Sequence, residues 1–211
     1  TFYSGAAIGT LPTDGTGATI PVTGGFRMAA INQRPDLATG DILETFYAGD
    51  LSSHLAEVAH HFVLGADAES SDAALDYTER AGRRAQALLA YEEAVSHFQR
   101  ALQVLDLRRN VARPGDVRRR VELQLALGDA LWGVRDLAGM RAACALAAET
   151  ARTLPRDEAA RYVAEAALGF GGRQQRAHVV FEQPVVDLLE EALRLLPEED
   201  GPLRARVTAR L

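Results

Sequence analysis

Apolar positions recur at spacings of three and four along most of this chain, and that period predicts helices. Leu51, Leu55, Val58, Ala59 and Phe62 make one such stripe, with Ser52 or Ser53 placed to cap it and Gly65 to close it. Ser70, Ser71 and Asp72 offer the next start, before a helix that runs to about Leu88. Further helices are predicted over 91–105, 117–132, 137–153 and 158–170. A polar, proline-containing break at 110–116 separates the first two of these, and Pro155 with Asp157 marks a later boundary. Gly169, Gly171 and Gly172 end the helix at 158–170. A last pair begins near Pro184, breaks at Pro197 and restarts after Gly201-Pro202. Before Asp41 the helical period is missing. Gly5, Gly9, Gly15, Gly17, Gly24, Gly25 and Gly40, with Pro12 and Pro21, interrupt short runs of Thr, Ala, Ile and Val. That stretch reads either as one or two short strands near residues 18–22 or as a segment with no fixed structure.

Short helices joined by brief breaks predict an all-α chain, specifically an α-solenoid of antiparallel helix hairpins. The chain divides into an irregular Gly/Thr-rich segment, 1–40, and a repeat domain, 41–211, of about three hairpins preceded by an extra helix. A small pair stands in the first helix of each unit, then Ala, a large residue and Ala in the second. Ala81-Gly82, Ala94, Phe98 and Ala101 fill that scheme, with Tyr91 opening the second helix. Leu127-Gly128, Met140, Cys144 and Ala147 repeat it after the Asp136-Leu137 turn, with Met140 where alanine is usual. Leu168-Gly169, Leu189, Ala192 and Pro197 repeat it again, after about three extra residues between the helices. Small residues let the two helices of a hairpin touch, and the large one fills the hole against the next unit. This is the tetratricopeptide pattern, loosely kept, with units at about 73–106, 119–153 and 158–197 and the start of another at 203.

Composition narrows the chemistry. All 23 basic residues are arginine, so a GxxxxGK[ST] phosphate loop cannot form within these residues, and lysine general bases and Schiff bases are excluded. The net charge of −6 gives no global field towards nucleic acid. One cysteine, Cys144, allows no internal disulfide and reads as a small apolar residue on a packed face. No apolar run nears the roughly 20 residues that span a bilayer, and a cytoplasmic setting is expected. Thr1-Phe2-Tyr3-Ser4 has no basic leader, and 204–211 ends inside a helical pattern, so both ends read as cut from a longer chain.

The run Leu51-Ser52-Ser53-His54-Leu55-Ala56-Glu57-Val58-Ala59-His60-His61-Phe62 resembles a segment of the large ATP-binding LuxR-type regulators of actinobacteria, akin to maltose-regulon activators. The resemblance continues through Ala81-Gly82-Arg83-Arg84-Ala85, Leu88-Leu89-Ala90-Tyr91-Glu92-Glu93-Ala94, Leu125-Ala126-Leu127-Gly128-Asp129-Ala130 and Ala167-Leu168-Gly169-Phe170-Gly171-Gly172-Arg173, over roughly 41–211. Residues 1–40 depart from it. The resemblance implies a nucleotide-binding module upstream, a helix-turn-helix domain downstream, and repeats between them that sense an inducer or partner and restrain the ATPase. On that expectation the chain is the sensor and interaction module of a transcriptional regulator. It holds no cofactor itself, ATP belonging to the upstream module, and it contacts neither nucleic acid nor membrane. Two alternatives stand beside it: the middle of a multidomain signalling enzyme, such as a nucleotide cyclase or kinase, and a free-standing repeat adaptor.

No catalytic or metal set is expected. His54, His60, His61 and His97 have spacings that diverge on a helix, and the acidic pairs Glu92-Glu93 and Glu190-Glu191 read as solvated helix surface. Ser96-His97 lacks an orienting acid. Partner contacts fall instead on Trp132, as a hot spot, and on Arg108, Arg109 and Arg119 of the arginine cluster astride the break between units. Trp132 and Tyr162 read as core or groove residues.

Overall fold

A computed structural model describes residues 35–68, 70–108, 110, 113–171, 183–199 and 201–211. Among them the chain is all-helical, with no strand. The order is α1 (Pro35–Phe46), a 3₁₀ turn (Leu51–His54), α2 (Leu55–Gly65), α3 (Ser71–Ala87), α4 (Tyr91–Leu107) and α5 (Asp116–Gly133). Then come α6 (Leu137–Ala151), α7 (Arg156–Phe170), α8 (Gln183–Leu195) and α9 (Pro202–Thr208).

The first helix starts at Pro35, six residues before the periodicity announces one, so two helices rather than one precede α3. Pro35 has the fixed φ that suits a first helical position, and Asp36 sits where the helix dipole favours an acid. Gly40 lies inside α1 and is no breaker: a Cβ there would stand 3.0 Å from the Phe62 ring, so its bareness admits α2. The expected short strands near residues 18–22, with all of 1–34, lie outside the described residues.

Each helix packs on its neighbour in the chain, α5 also touches α7, and α9 lies on both α7 and α8. The core runs along this row. Leu55, Phe62, Leu75, Phe98 and Leu123 centre one end, Val121, Val163, Leu189 and Val207 the other, and Leu131, Met140 and Cys144 join them. Alanines fill much of the remaining seams, which lets consecutive helices sit close.

The turns after α3 and α5 are the same structure. Ala90 N–H donates to Ala85 O (2.9 Å) and Leu89 N–H to Gln86 O (3.0 Å); Asp136 N–H donates to Leu131 O (3.0 Å) and Arg135 N–H to Trp132 O (3.1 Å). This pairing satisfies the last carbonyls of each helix and needs one left-handed residue, a place glycine usually takes. Here Leu89 (φ 61°) and Arg135 (φ 63°) take it, forty-six positions apart. The left-handed conformation of an L-residue costs about 1–2 kcal/mol, and glycine gives back less than that through the entropy of the unfolded chain. Leu89→Gly and Arg135→Gly should therefore each raise stability by about 0.5 kcal/mol in urea melts. A loss above about 1 kcal/mol in either would mean the side chain contributes packing that the exposed turn does not show.

Candidate functional site

The forty-six-residue offset extends from the turns into the packing. In the α3–α4 hairpin a Cβ on Gly82 would fall 2.7 Å from the Phe98 ring, which is fully buried. In α5–α6, a Cβ on Gly128 would fall 3.1 Å from Cys144 Sγ. Cys144 is also approached by Gly169 of α7, at 2.9 Å from an ideal Cβ, so its sulfur sits where three helices converge. Burial, and secondarily Asp129, pushes the Cys144 thiol up to about 12. Gly133, at the end of α5, gives way to the Tyr91 ring of α4, only 2.3 Å from where a Cβ would be.

The first helices α3, α5 and α7 are cross-linked to one another at separations near forty residues. Arg119 Nε donates to Glu79 Oε2 (2.8 Å) between α5 and α3, and Arg118 makes a two-point contact with Glu158 of α7 (2.8 and 2.7 Å). The Tyr162 hydroxyl donates to Glu122 Oε1 (2.6 Å), and burial with that bond pushes Tyr162 up to about 12. Arg152, after α6, grips both oxygens of Glu191 on α8 (2.7 and 2.6 Å), so this carboxylate is committed rather than merely solvated.

Two of the arginines expected to meet a partner are thus occupied at home. Arg108 is 3% exposed. Its Nε donates to Ser71 Oγ (2.5 Å) and its Nη2 to Asp72 Oδ1 (2.8 Å), while Nη1 reaches towards Asp116 Oδ1 (3.4 Å). It caps the end of α4 and ties it to the first turns of α3 and α5, where the helix dipoles favour those acids. Burial works against the Asp72 charge, yet Arg113 and Arg108 hold its carboxyl below the usual range. Arg119 spends its guanidinium on Glu79 and on Asp76 (3.8 Å). The Arg108 guanidinium is enclosed, whereas Arg119 stays 31% exposed beside its carboxylates. Arg109 lies outside the described residues.

Trp132 is half-buried at the end of α5, packed beside Leu131, Met140 and Cys144, with Phe170 in the same cluster. The Arg141 guanidinium stands 5.9 Å from the Phe170 ring. A cleft of about 600 Å³ opens beyond Phe170, floored by Ala145, Ala148 and Leu188 and edged by the Arg152–Glu191 pair. Among the described residues no three His, Cys, Asp or Glu side chains gather as a metal set would, and no helix is long and apolar enough to cross a membrane.

His97 lies on the buried side of α4, 8% exposed. Burial, aided by Arg100 and opposed by Glu93, holds its pKa below the ordinary histidine value of about 6.5. The unfolded chain therefore binds the proton first. Stability should be full above about pH 6.5 and fall as the pH drops below it, whereas in His97→Leu that part of the pH profile should flatten. An unchanged slope in the variant would show that His97 is not the titrating group.

No protein-family model, no curated protein and no solved structure matches this chain.

Proposed function

We propose that the chain is a tetratricopeptide-like α-solenoid, and that it serves as the sensing and interaction module of an ATP-dependent transcriptional regulator. The observation that carries the repeat reading is the equivalence of α3–α4 with α5–α6 at one offset, in main chain and side chain alike: Leu89 with Arg135, Gly82 with Gly128, Phe98 with Cys144. Units repeating in that detail stack as a row, and each buries its neighbour's open face. The direct contact of α5 with α7, stitched by Arg118–Glu158 and Tyr162–Glu122, draws the first helices together. The row then curves with α3, α5 and α7 on its inner side, the side on which such arrays hold a peptide, a partner domain or a small inducer.

Trp132 stands at the end of that inner face and is its aromatic anchor. The arginine ladder, by contrast, sets the spacing of the units. The module performs no chemistry of its own; ATP is held by a separate module of the parent protein.

Reading the coding sequence on both sides of this segment tests the regulator role. An upstream GxxxxGK[ST] and a downstream helix-turn-helix support it. A cyclase or kinase domain in either place moves the module into a signalling enzyme, and a start and stop codon at its edges leaves an adaptor. The division of labour has its own test in solution: ATP turnover by the isolated chain would sink it.

A further inference from the structure

A partner held against the first helices leaves the cleft beyond Phe170 without a role. The cleft lies between two second helices, α6 and α8, and its volume of about 600 Å³ is that of a small-ligand site. Its bottom is apolar: Ala148 and Leu188 are buried there, and Ala145, Phe170 and Pro184 complete the walls. Four charged side chains stand on the rim, Arg152, Asp187, Glu191 and Arg194, and their charges sum to zero.

Two of the four consume each other. The two-point contact from Arg152 takes both Glu191 oxygens and holds that carboxyl below the usual range. Arg194 also favours the Glu191 charge, but through space and without a bond. It spends only Nε, on the Glu190 carbonyl of its own helix (3.3 Å), and its two terminal nitrogens bond to no described residue. Asp187 accepts one bond, from the Gln183 amide to Oδ1 (2.7 Å), and its Oδ2 bonds to no described residue. Both side chains are exposed. They stand seven positions apart on α8, about 10 Å along the helix axis, a distance that three extended residues span. A cation and an anion so spaced over an apolar floor match a molecule with a carboxylate at one end, an ammonium at the other and hydrocarbon between.

We propose that this cleft binds a short apolar peptide, about three residues long, with both its ends free. Its carboxylate meets Arg194, its ammonium meets Asp187, and its side chains lie on Ala145, Ala148, Leu188 and Phe170. Such a ligand touches α6, α7 and α8 together and fastens one hairpin to the next. A polyanion or a polycation fits less well, because the rim has no net charge. Outside the rim, Arg141 over the Phe170 ring and Glu149 near Arg152 are again of opposite sign.

The test titrates the full chain with trileucine in a calorimeter, beside N-acetyl-trileucine and trileucine amide. Trileucine should bind saturably, and each blocked peptide should bind about fivefold more weakly. Arg194→Gln should weaken trileucine by the same factor and make binding indifferent to amidation. Asp187→Asn should do likewise and make it indifferent to acetylation. Both residues are exposed, so these variants keep the fold, which circular dichroism checks. Ala145→Trp, on the exposed side of α6, should fill the floor of the cleft and abolish binding. Failure of trileucine to bind overturns the proposal. So does a blocked peptide that binds as tightly as the free one, which would describe an apolar hollow with no use for either charge. Equal loss on amidation in the parent and in Arg194→Gln also overturns it, because the carboxylate would then sit elsewhere.

Discussion

Phe98→Ala should lower the unfolding free energy by about 4 kcal/mol, enough to remove much of the margin a domain of this size possesses. The ring is fully buried at the centre of the cluster formed by α2, α3, α4 and α5. Its removal deletes the filling of a hole shaped on one side by Gly82, and a helix backbone cannot collapse into that space as a side chain would. Gly82→Ala attacks the same contact from the other side. Its Cβ would stand 2.7 Å from a ring with nowhere to go, at a cost of about 1–3 kcal/mol. The two substitutions should couple: in a Phe98→Leu background the added methyl finds room, and Gly82→Ala becomes markedly cheaper. Urea unfolding followed by circular dichroism measures each corner of that cycle. Additive effects, or a Phe98→Ala loss under about 1 kcal/mol, would mean the ring does not seat against α3.

Arg108→Met should cost about 3 kcal/mol although it introduces an apolar residue at a buried position. Ser71, whose hydroxyl is fully enclosed, loses its guanidinium donor, and the first-turn acids Asp72 and Asp116 each lose one donor while keeping Arg113. The methionine fills the volume of the arginine stem, so the loss isolates the guanidinium. Arg108→Lys should recover only a fraction, because a point charge cannot serve three acceptors set around a planar fork. Arg118→Ala, which breaks an exposed pair with Glu158, should cost far less, and less still as salt is added. Equal costs for the two arginines would place Arg108 at the surface and undo the description of its site.

Helix positions were legible because their causes are local. The starts of α4 at Tyr91 and α6 at Leu137 stand where periodicity and turn residues place them, and α9 begins at Pro202 for the same reason. The start of α1 was hidden because Gly40 looks like a breaker until Phe62, twenty-two positions on, is set against it. The left-handed turns at Leu89 and Arg135 left no mark, since neither position carries the glycine that announces such a turn. Arginine roles were the least legible part. A cluster at 108–120 reads as a surface offered outward until its carboxylates, at 72, 76, 79 and 158, are brought in by the packing of whole helices. A separation near forty residues is the signal that could have found them, because Arg119–Glu79, Arg118–Glu158, Tyr162–Glu122 and Arg152–Glu191 all share it.

Cys144 turns the meeting point of α5, α6 and α7 into a clock. Its sulfur is walled in by Gly128 and Gly169, and its thiolate is suppressed until the pH nears 12. A thiol reagent therefore reacts only in the moments when α7 lifts from α5 and α6. With opening faster than capture, the observed rate scales with reagent concentration and gives the fraction of time the junction stands open. At saturating reagent it levels off at the rate of opening itself. One native sulfur thus reports, with no added label on the backbone, how often one junction of this helical row comes apart and how long it stays so.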